Sequence, residues 1–281
     1  SSVVQEGHEE KRQCRVGSLY AELIEKKFID TSNIDKKDNL KYGGRIWRLT
    51  TADGDVYEND YNQKKHNINH LIKTNKFTKY LEIGVDDPTG NFDKIICKHK
   101  HSVDPCVEFN TDDIDYKHTS DDFFNLLDNG ELDLPKDYKW DVIFIDGLHL
   151  ANQVERDFNN SLNHLSENGF ILIHDTNPPS LLHAREDYVL SNGNRAPWNG
   201  TVWKCIYKLN ATRKDLVIHT VGDNLTPDFD NDICWGLTII SRGEQECCDF
   251  NNCFYEYRLF EENRDKYINK ISIEDFFKIY K

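Results

Sequence analysis

Trp140-Asp141-Val142-Ile143-Phe144-Ile145-Asp146-Gly147-Leu148-His149 is the stretch on which the fold turns. Val142 to Ile145 has no polar face and is mostly β-branched, which describes a strand buried on both sides, as in a parallel sheet. The pattern returns in Phe170-Ile171-Leu172-Ile173-His174-Asp175, ahead of Pro178-Pro179. Between the two, residues 150–165 read as a helix stopped at Asn168-Gly169. Upstream, Tyr80-Leu81-Glu82-Ile83-Gly84 is a shorter strand ending in glycine. A helix at 92–97, a strand at Ser102-Val103-Asp104, a weak strand at 114–116 and a helix at 120–127 follow. Strand and helix in alternation predict a doubly wound α/β sheet.

Past residue 178 the pattern predicts a helical region, then the segment Trp198-Asn199-Gly200-Thr201-Val202-Trp203, then strands near 216–221 and 235–240. Residues 254–281 read as helical, packing through Tyr257, Phe260, Phe276 and Phe277. Ahead of the sheet, residues 1–60 are polar and mixed, with a helix at 19–28. A short strand at 46–50, bracketed by Gly43-Gly44 and Asp53-Gly54, reads as part of a hairpin. Ile68, Leu71 and Ile72 recur at helical spacing within 67–74. The expected division is an N-terminal cap over 1–76 and a sheet domain over 77–281.

Charge narrows the partners. Asp and Glu total 49 against 35 Lys and Arg, a net charge of -14 over 281 residues. Nucleic acids and anionic membranes are bound by cations, so neither is expected here. No apolar run approaches the roughly 20 residues of a membrane span, and no basic region followed by an apolar stretch suggests a secretory signal. Cysteines at 14, 97, 106, 205, 234, 247, 248 and 253 are too sparse for a disulfide framework and lack a CxxC pair with a nearby histidine. Reduced thiols in the cytoplasm are the expectation.

Ligands of an open α/β sheet sit beyond the carboxyl ends of its strands. Those ends here are Glu82 and Gly84, Asp104, Asp146, and His174-Asp175. Adjacent strands lie about 4.8 Å apart, so several acids converge, and clustered carboxylates need a cation to stay ionised. No Lys or Arg stands at these ends, so the expected cation is a ligand: a metal ion, a cationic cofactor, or both. The blander alternatives are that Asp104 caps a turn, that His174-Asp175 is an ordinary strand end, and that Asp157 is a solvated helix residue. The loop Gly84-Val85-Asp86-Asp87-Pro88-Thr89-Gly90 lacks the GxGxxG of dinucleotide sites. Its two aspartates repel a pyrophosphate but not an amine and a sulfonium, which favours S-adenosylmethionine over NAD or ATP.

Residues 80–179 resemble class I S-adenosylmethionine-dependent methyltransferases. IDGLH at 145–149 followed by NGFILIHD at 168–175 is similar to sugar O-methyltransferases of the macrocin and mycinamicin type. GTVWK at 200–204 and the ending around Asn263-Arg264 and Glu274-Asp275-Phe276-Phe277 extend the likeness to about 78–281. The resemblance implies a Rossmann-like fold and assigns roles. Glu82 and Gly84 would lie along the methionine end and ribose of the cofactor, Asp104 on the ribose hydroxyls, and Ser120 and Asp121 near the adenine. Asp146 would meet both cofactor and metal, with His174 and Asp175 completing a Mg²⁺ site and His149 as general base. His174 stands where the family has a carboxylate, and Asp86 and Pro88 where it has small residues. The implied reaction is methylation of a hydroxyl on a sugar, sugar nucleotide or glycan, as in polysaccharide biosynthesis. Trp198 or Trp203 would flank the acceptor or simply pack. The alternatives are a metal-free methyltransferase, a nucleotide-binding oxidoreductase and a non-catalytic Rossmann-like scaffold. A homo-oligomer is compatible with each.

Overall fold

Val142 to Ile145 pair in parallel with Phe170 to Ile173, residue for residue, because strands apolar on both faces are stable only inside a sheet. The computed structural model describes residues 48–50, 56–58, 63–189, 198–222, 235–248 and 256–281. They belong to one compact unit, Gly44–Lys281. The helix expected at 19–28 lies outside the described residues, and the boundary expected at 76/77 falls inside this unit.

Strands β1 (Arg48–Thr50) and β2 (Val56–Glu58) form the expected hairpin. Then come α1 (Gln63–Asn75), β3 (Lys79–Ile83), β4 (His99–Val103), α2 (Ser120–Asn129), β5 (Trp140–Ile145), α3 (Ala151–Asn163) and β6 (Leu165–His174). The chain continues through α4 (Val202–Thr212), β7 (Leu216–Val221), β8 (Leu237–Arg242), α5 (Tyr257–Tyr267), β9 (Lys270–Ile271) and α6 (Ile273–Ile279). The main sheet has seven strands in the order β4-β3-β5-β6-β8-β7-β9. Only β8 runs antiparallel to its neighbours. Strand order reverses at β3, between β4 and β5, so the switch point where such folds bind ligands lies at the carboxyl ends of these strands.

The pleat sorts the core into two layers. Leu81, Ile83, Ile143, Ile145, Ile171 and Ile173 face one side, against Phe123, Phe158 and Ile206 from the helices. Tyr80, Val142, Phe144 and Leu172 face the other, against Ile68, Leu71 and Ile72 of α1 and Phe276 of α6. Each such fully buried side chain contributes about 1.5–3 kcal/mol, so α1 is held to the sheet by its own apolar stripe.

Several sequence expectations are corrected. The helix at 92–97 is a single 3-10 turn, Phe92–Lys94, after which Ile95 is extended. One turn suffices to bury Phe92 and Ile95, and the chain must reach β4 within four residues. The strand at 114–116 is reduced to one parallel bridge, Val103↔Tyr116. The Asp115 carboxylate there accepts both the Ser102 amide and hydroxyl, and so takes a donor the ladder would need. Helix α3 ends at Asn163, and Asn168-Gly169 lies within β6, not at a helix cap. Trp140 pairs with Leu165 but Val142 pairs with Phe170, so residues 166–169 form a bulge. His164 closes the helix instead, with Nδ1 on the Tyr138 carbonyl and Nε2 on Asp128. Residues 178–189 form turns and a lone bridge residue where a helical region was expected. The C-terminal helical stretch is broken by β9, which pairs with Thr220 and Val221.

Among the described residues, Cys97, Cys106, Cys205, Cys247 and Cys248 are free thiols. None of the described helices is long and apolar enough to cross a membrane.

Candidate active site

The ends of β3 and β5 meet backbone to backbone. Gly84 has φ +81°, and a Cβ there would lie 2.3 Å from the Gly147 Cα and 2.5 Å from the Asp146 carbonyl. Only glycine fits. Asp104, just past β4, takes the Asp86 amide on Oδ2 at 3.0 Å and the Cys106 amide on Oδ1 at 2.7 Å. It thereby ties the loop after β3 to the end of β4. Asp86 in that loop has φ +51°. Its carboxyl titrates high because of burial and the neighbouring Glu108.

Glu82 is 2% exposed. Its Oε2 accepts from the Tyr80 hydroxyl at 2.6 Å and from Asn91 Nδ2 at 2.9 Å. Burial pushes its pKa up from 4.5 to about 7, against the pull of those donors and of Lys64. A carboxyl raised in the folded state contributes fully to stability below its unfolded pKa. That contribution is lost as pH rises through the folded value, here by about 3 kcal/mol. Glu82→Gln keeps an acceptor for both donors and removes the titration. In urea unfolding, the variant should therefore gain on wild type by up to about 3 kcal/mol between about pH 5 and pH 8. Parallel stability curves would rule this out.

At the ends of β5 and β6, one ligand atom each from Asp146, His149 and Asp175 lie within 4.8 Å of one another. His149 Nδ1 stands 3.1 Å from the Trp198 carbonyl, which can only accept, so Nδ1 carries the proton. Nε2 faces Asp175 Oδ2 at 3.1 Å and Asp146 Oδ1 at 3.7 Å. Burial opposes charging this ring, but Asp175 and Asp146 outweigh it and raise its pKa above 6.5. His174 is not the third member of this group. Its Nδ1 lies between the two acids, 3.1 Å from Asp146 and 3.0 Å from Asp175. Its pKa rises to about 10, the acids overcoming the cost of burial.

The cation missing from the strand ends is supplied from elsewhere in the chain. Lys64 Nζ, on α1, lies 2.6 Å from Asp146 Oδ2. Burial alone would raise the Asp146 carboxyl, but Lys64 and then His174 hold it well below the usual range. Where the sequence predicts a ligand's charge, a lysine of the chain already stands beside Asp146. Lys64 is 82 positions upstream of its partner, too far for motif spacing to reveal.

Sequence reasoning also missed how His149 is held. The Trp198 ring stacks on it at 5.1 Å. The Thr201 amide donates to the His149 carbonyl at 2.8 Å, and Thr201 Oγ1 accepts the Ala151 amide at 2.8 Å. Gly200, at φ +65°, passes so close that a Cβ would sit 1.9 Å from the His149 carbonyl oxygen. Asn199 Nδ2 donates to Asp175 at 3.0 Å. Trp203, by contrast, is core, its ring tilted against that of Phe260 at 4.5 Å.

Ser120 and Asp121 open α2 and find their partners on α3. Ser120 Oγ accepts from Gln153, and Asp121 meets Arg156 at 3.2 Å. Gln153 also donates to Asp157 at 2.9 Å. Asp157 is 1% exposed, so its reading as a solvated helix residue fails.

Acids and imidazoles thus gather at the switch point of the doubly wound sheet. The profile of the family described as "Methyltransferase domain" matches residues 47–176. Over those residues, somewhat under half of its length, the chain is therefore similar to a methyltransferase domain. No curated protein sequence matches it. Among solved structures it is similar to an O-methyltransferase from Bacillus cereus in complex with SAH, at 15% identity over 64% of this chain and 81% of that one, TM-score 0.42. The O-methyltransferase TomG from Streptomyces achromogenes, involved in tomaymycin synthesis, is 14% identical over 64% of this chain and 79% of its own, TM-score 0.39. The MycE methyltransferase of the mycinamycin biosynthetic pathway, in complex with Mg and SAH, is 13% identical over 69% of this chain and 56% of its own, TM-score 0.39.

Proposed function

We propose that the protein methylates a hydroxyl of a sugar, sugar nucleotide or glycan, with His149 as the general base. The observation that carries this reading is the placement of the His149 ring: Nδ1 lies 3.1 Å from the Trp198 carbonyl, an acceptor only, which leaves Nε2 to take a proton beside the acids. An acidic cleft suits a neutral polyol better than a phosphate-dense polymer.

An alcohol is a poor nucleophile until it loses its proton. When bound, S-adenosylmethionine supplies the methyl group on a sulfonium. The hydroxyl proton passes to His149 Nε2 as the new O–C bond forms and the C–S bond breaks. Asp175, at 3.1 Å from the same nitrogen, stabilises the imidazolium produced. Holding acceptor and donor in line supplies much of the remaining rate. Glu82 and Asp104 bind the polar flank of the cofactor, Gly84 lets the β3 and β5 ends close beneath it, and Ser120 and Asp121 border its adenine. Asp146 faces its reactive end.

The family resemblance also implies Mg²⁺ on Asp146, His174 and Asp175. These residues fit that ion poorly. Mg²⁺ favours octahedral oxygen ligation, whereas the atoms that converge are two carboxylates and an imidazole. Both acids, moreover, already face cations from the chain, Lys64 and His174. The proposed reaction runs on the chain's own groups.

Thermal unfolding tests the cofactor. S-adenosylhomocysteine at about 100 times its Kd should add roughly 2.7 kcal/mol of stability, and NAD and ATP none. Asp104→Asn should weaken that binding about 10- to 100-fold, the worth of a hydrogen bond to a charged group, while the protein stays folded. A shift with NAD and none with S-adenosylhomocysteine would falsify the reading.

A further inference from the structure

We infer that Lys64 is the built-in counter-ion of the acid pair, a positioning residue whose ammonium holds Asp146 in place and keeps divalent metal out of the site. The placement follows from the helix. Lys64 stands four and seven residues ahead of Ile68 and Leu71, on the face of α1 that packs against the sheet. Those two side chains are fully buried, so the lysine stem runs inward along the same stripe and delivers its charge beneath the strand ends. Its Nζ lies 2.6 Å from Asp146 Oδ2, with the two side chains 17% and 13% exposed. The same ammonium stands 5.6 Å from the centre of the Phe144 ring.

Charge completes the case. His174 Nδ1 stands between Asp146 and Asp175, 3.1 and 3.0 Å from their oxygens. Lys64 adds an ammonium directly on Asp146 Oδ2. A divalent ion entering here would meet that like charge at close range and would have to displace it. Without Lys64, Asp146 Oδ2 loses the ammonium, and two carboxylates with the His149 imidazole are left as a three-ligand set open to Mn²⁺.

The inference deepens the methyl-transfer reading, but its test does not depend on it. Free Mn²⁺ gives an electron paramagnetic resonance signal that fades on binding. The full chain, with and without S-adenosylhomocysteine, should leave that signal intact. Lys64→Met should take up one Mn²⁺ per chain at an affinity at least about tenfold above wild type, and Lys64→Arg should behave as wild type. Asp146→Asn added to Lys64→Met should abolish the uptake. Stoichiometric Mn²⁺ binding by wild type, released by Asp146→Asn, overturns the inference. So does a folded Lys64→Met that ignores Mn²⁺. If Lys64→Met does not fold, the wild-type and Lys64→Arg titrations still decide. Failure of the cofactor reading would show separately, as a missing S-adenosylhomocysteine shift in wild type.

Discussion

His149→Ala should lower turnover about 10²- to 10⁴-fold, the usual worth of a positioned general base, and leave S-adenosylhomocysteine binding unchanged. The loss should come with a changed pH profile. The base works only when neutral, so the rate falls as pH drops through its pKa. Burial lowers that pKa, but Asp175 and Asp146 raise it further, so the acid limb lies above 6.5. His149→Ala should erase that limb. A variant with wild-type turnover on a sugar acceptor would place the base elsewhere.

Gly84→Ala should be strongly destabilising for a one-methyl change. The residue sits at φ +81°, and the added Cβ would lie 2.3 Å from the Gly147 Cα. The left-handed backbone costs about 1–2 kcal/mol with a side chain, and forcing two packed strand ends apart costs about 1–3 more. A loss of about 2–5 kcal/mol in urea unfolding is expected, together with loss of S-adenosylhomocysteine binding. Gly147→Ala is the control. Its Cβ would meet only the Gly84 Cα, at 3.8 Å, so it should stay within about 1 kcal/mol of wild type. Equal stability of the two variants would show that the backbone crossing is not what glycine serves here.

Both tests probe features that were partly readable in the chain. Glycine after a short strand, an acid after each of the next two, and histidine three residues past the strongest one are local patterns. They place these residues at the carboxyl ends of β3, β4 and β5, where the strand order reverses. The helix expected to end at Gly169 was misplaced because Asn-Gly signals a break in regular structure without saying which kind. Here it serves a bulge in β6. Asp157 was misjudged because its position on α3 is visible in the sequence but not what covers it. Gln153 sits one turn before it on α3, and Ser120 comes in from α2.

What the sequence determined by itself is the run of strands and helices, since residues 142–145 and 170–173 can be stable only as buried strands, and the presence of acids at their ends. Only the tertiary structure decided which charges face one another. The apolar face of α1 is legible in Ile68, Leu71 and Ile72, but nothing in 67–74 says that this face docks beneath β5. That docking brings Lys64 to Asp146. The loop at 198–201 likewise closes on His149 from some 50 residues away. Local patterning is set by neighbours along the chain. Charge balance in a buried site is set by neighbours in space, and these two acids are matched by a lysine from α1 and a histidine from β6.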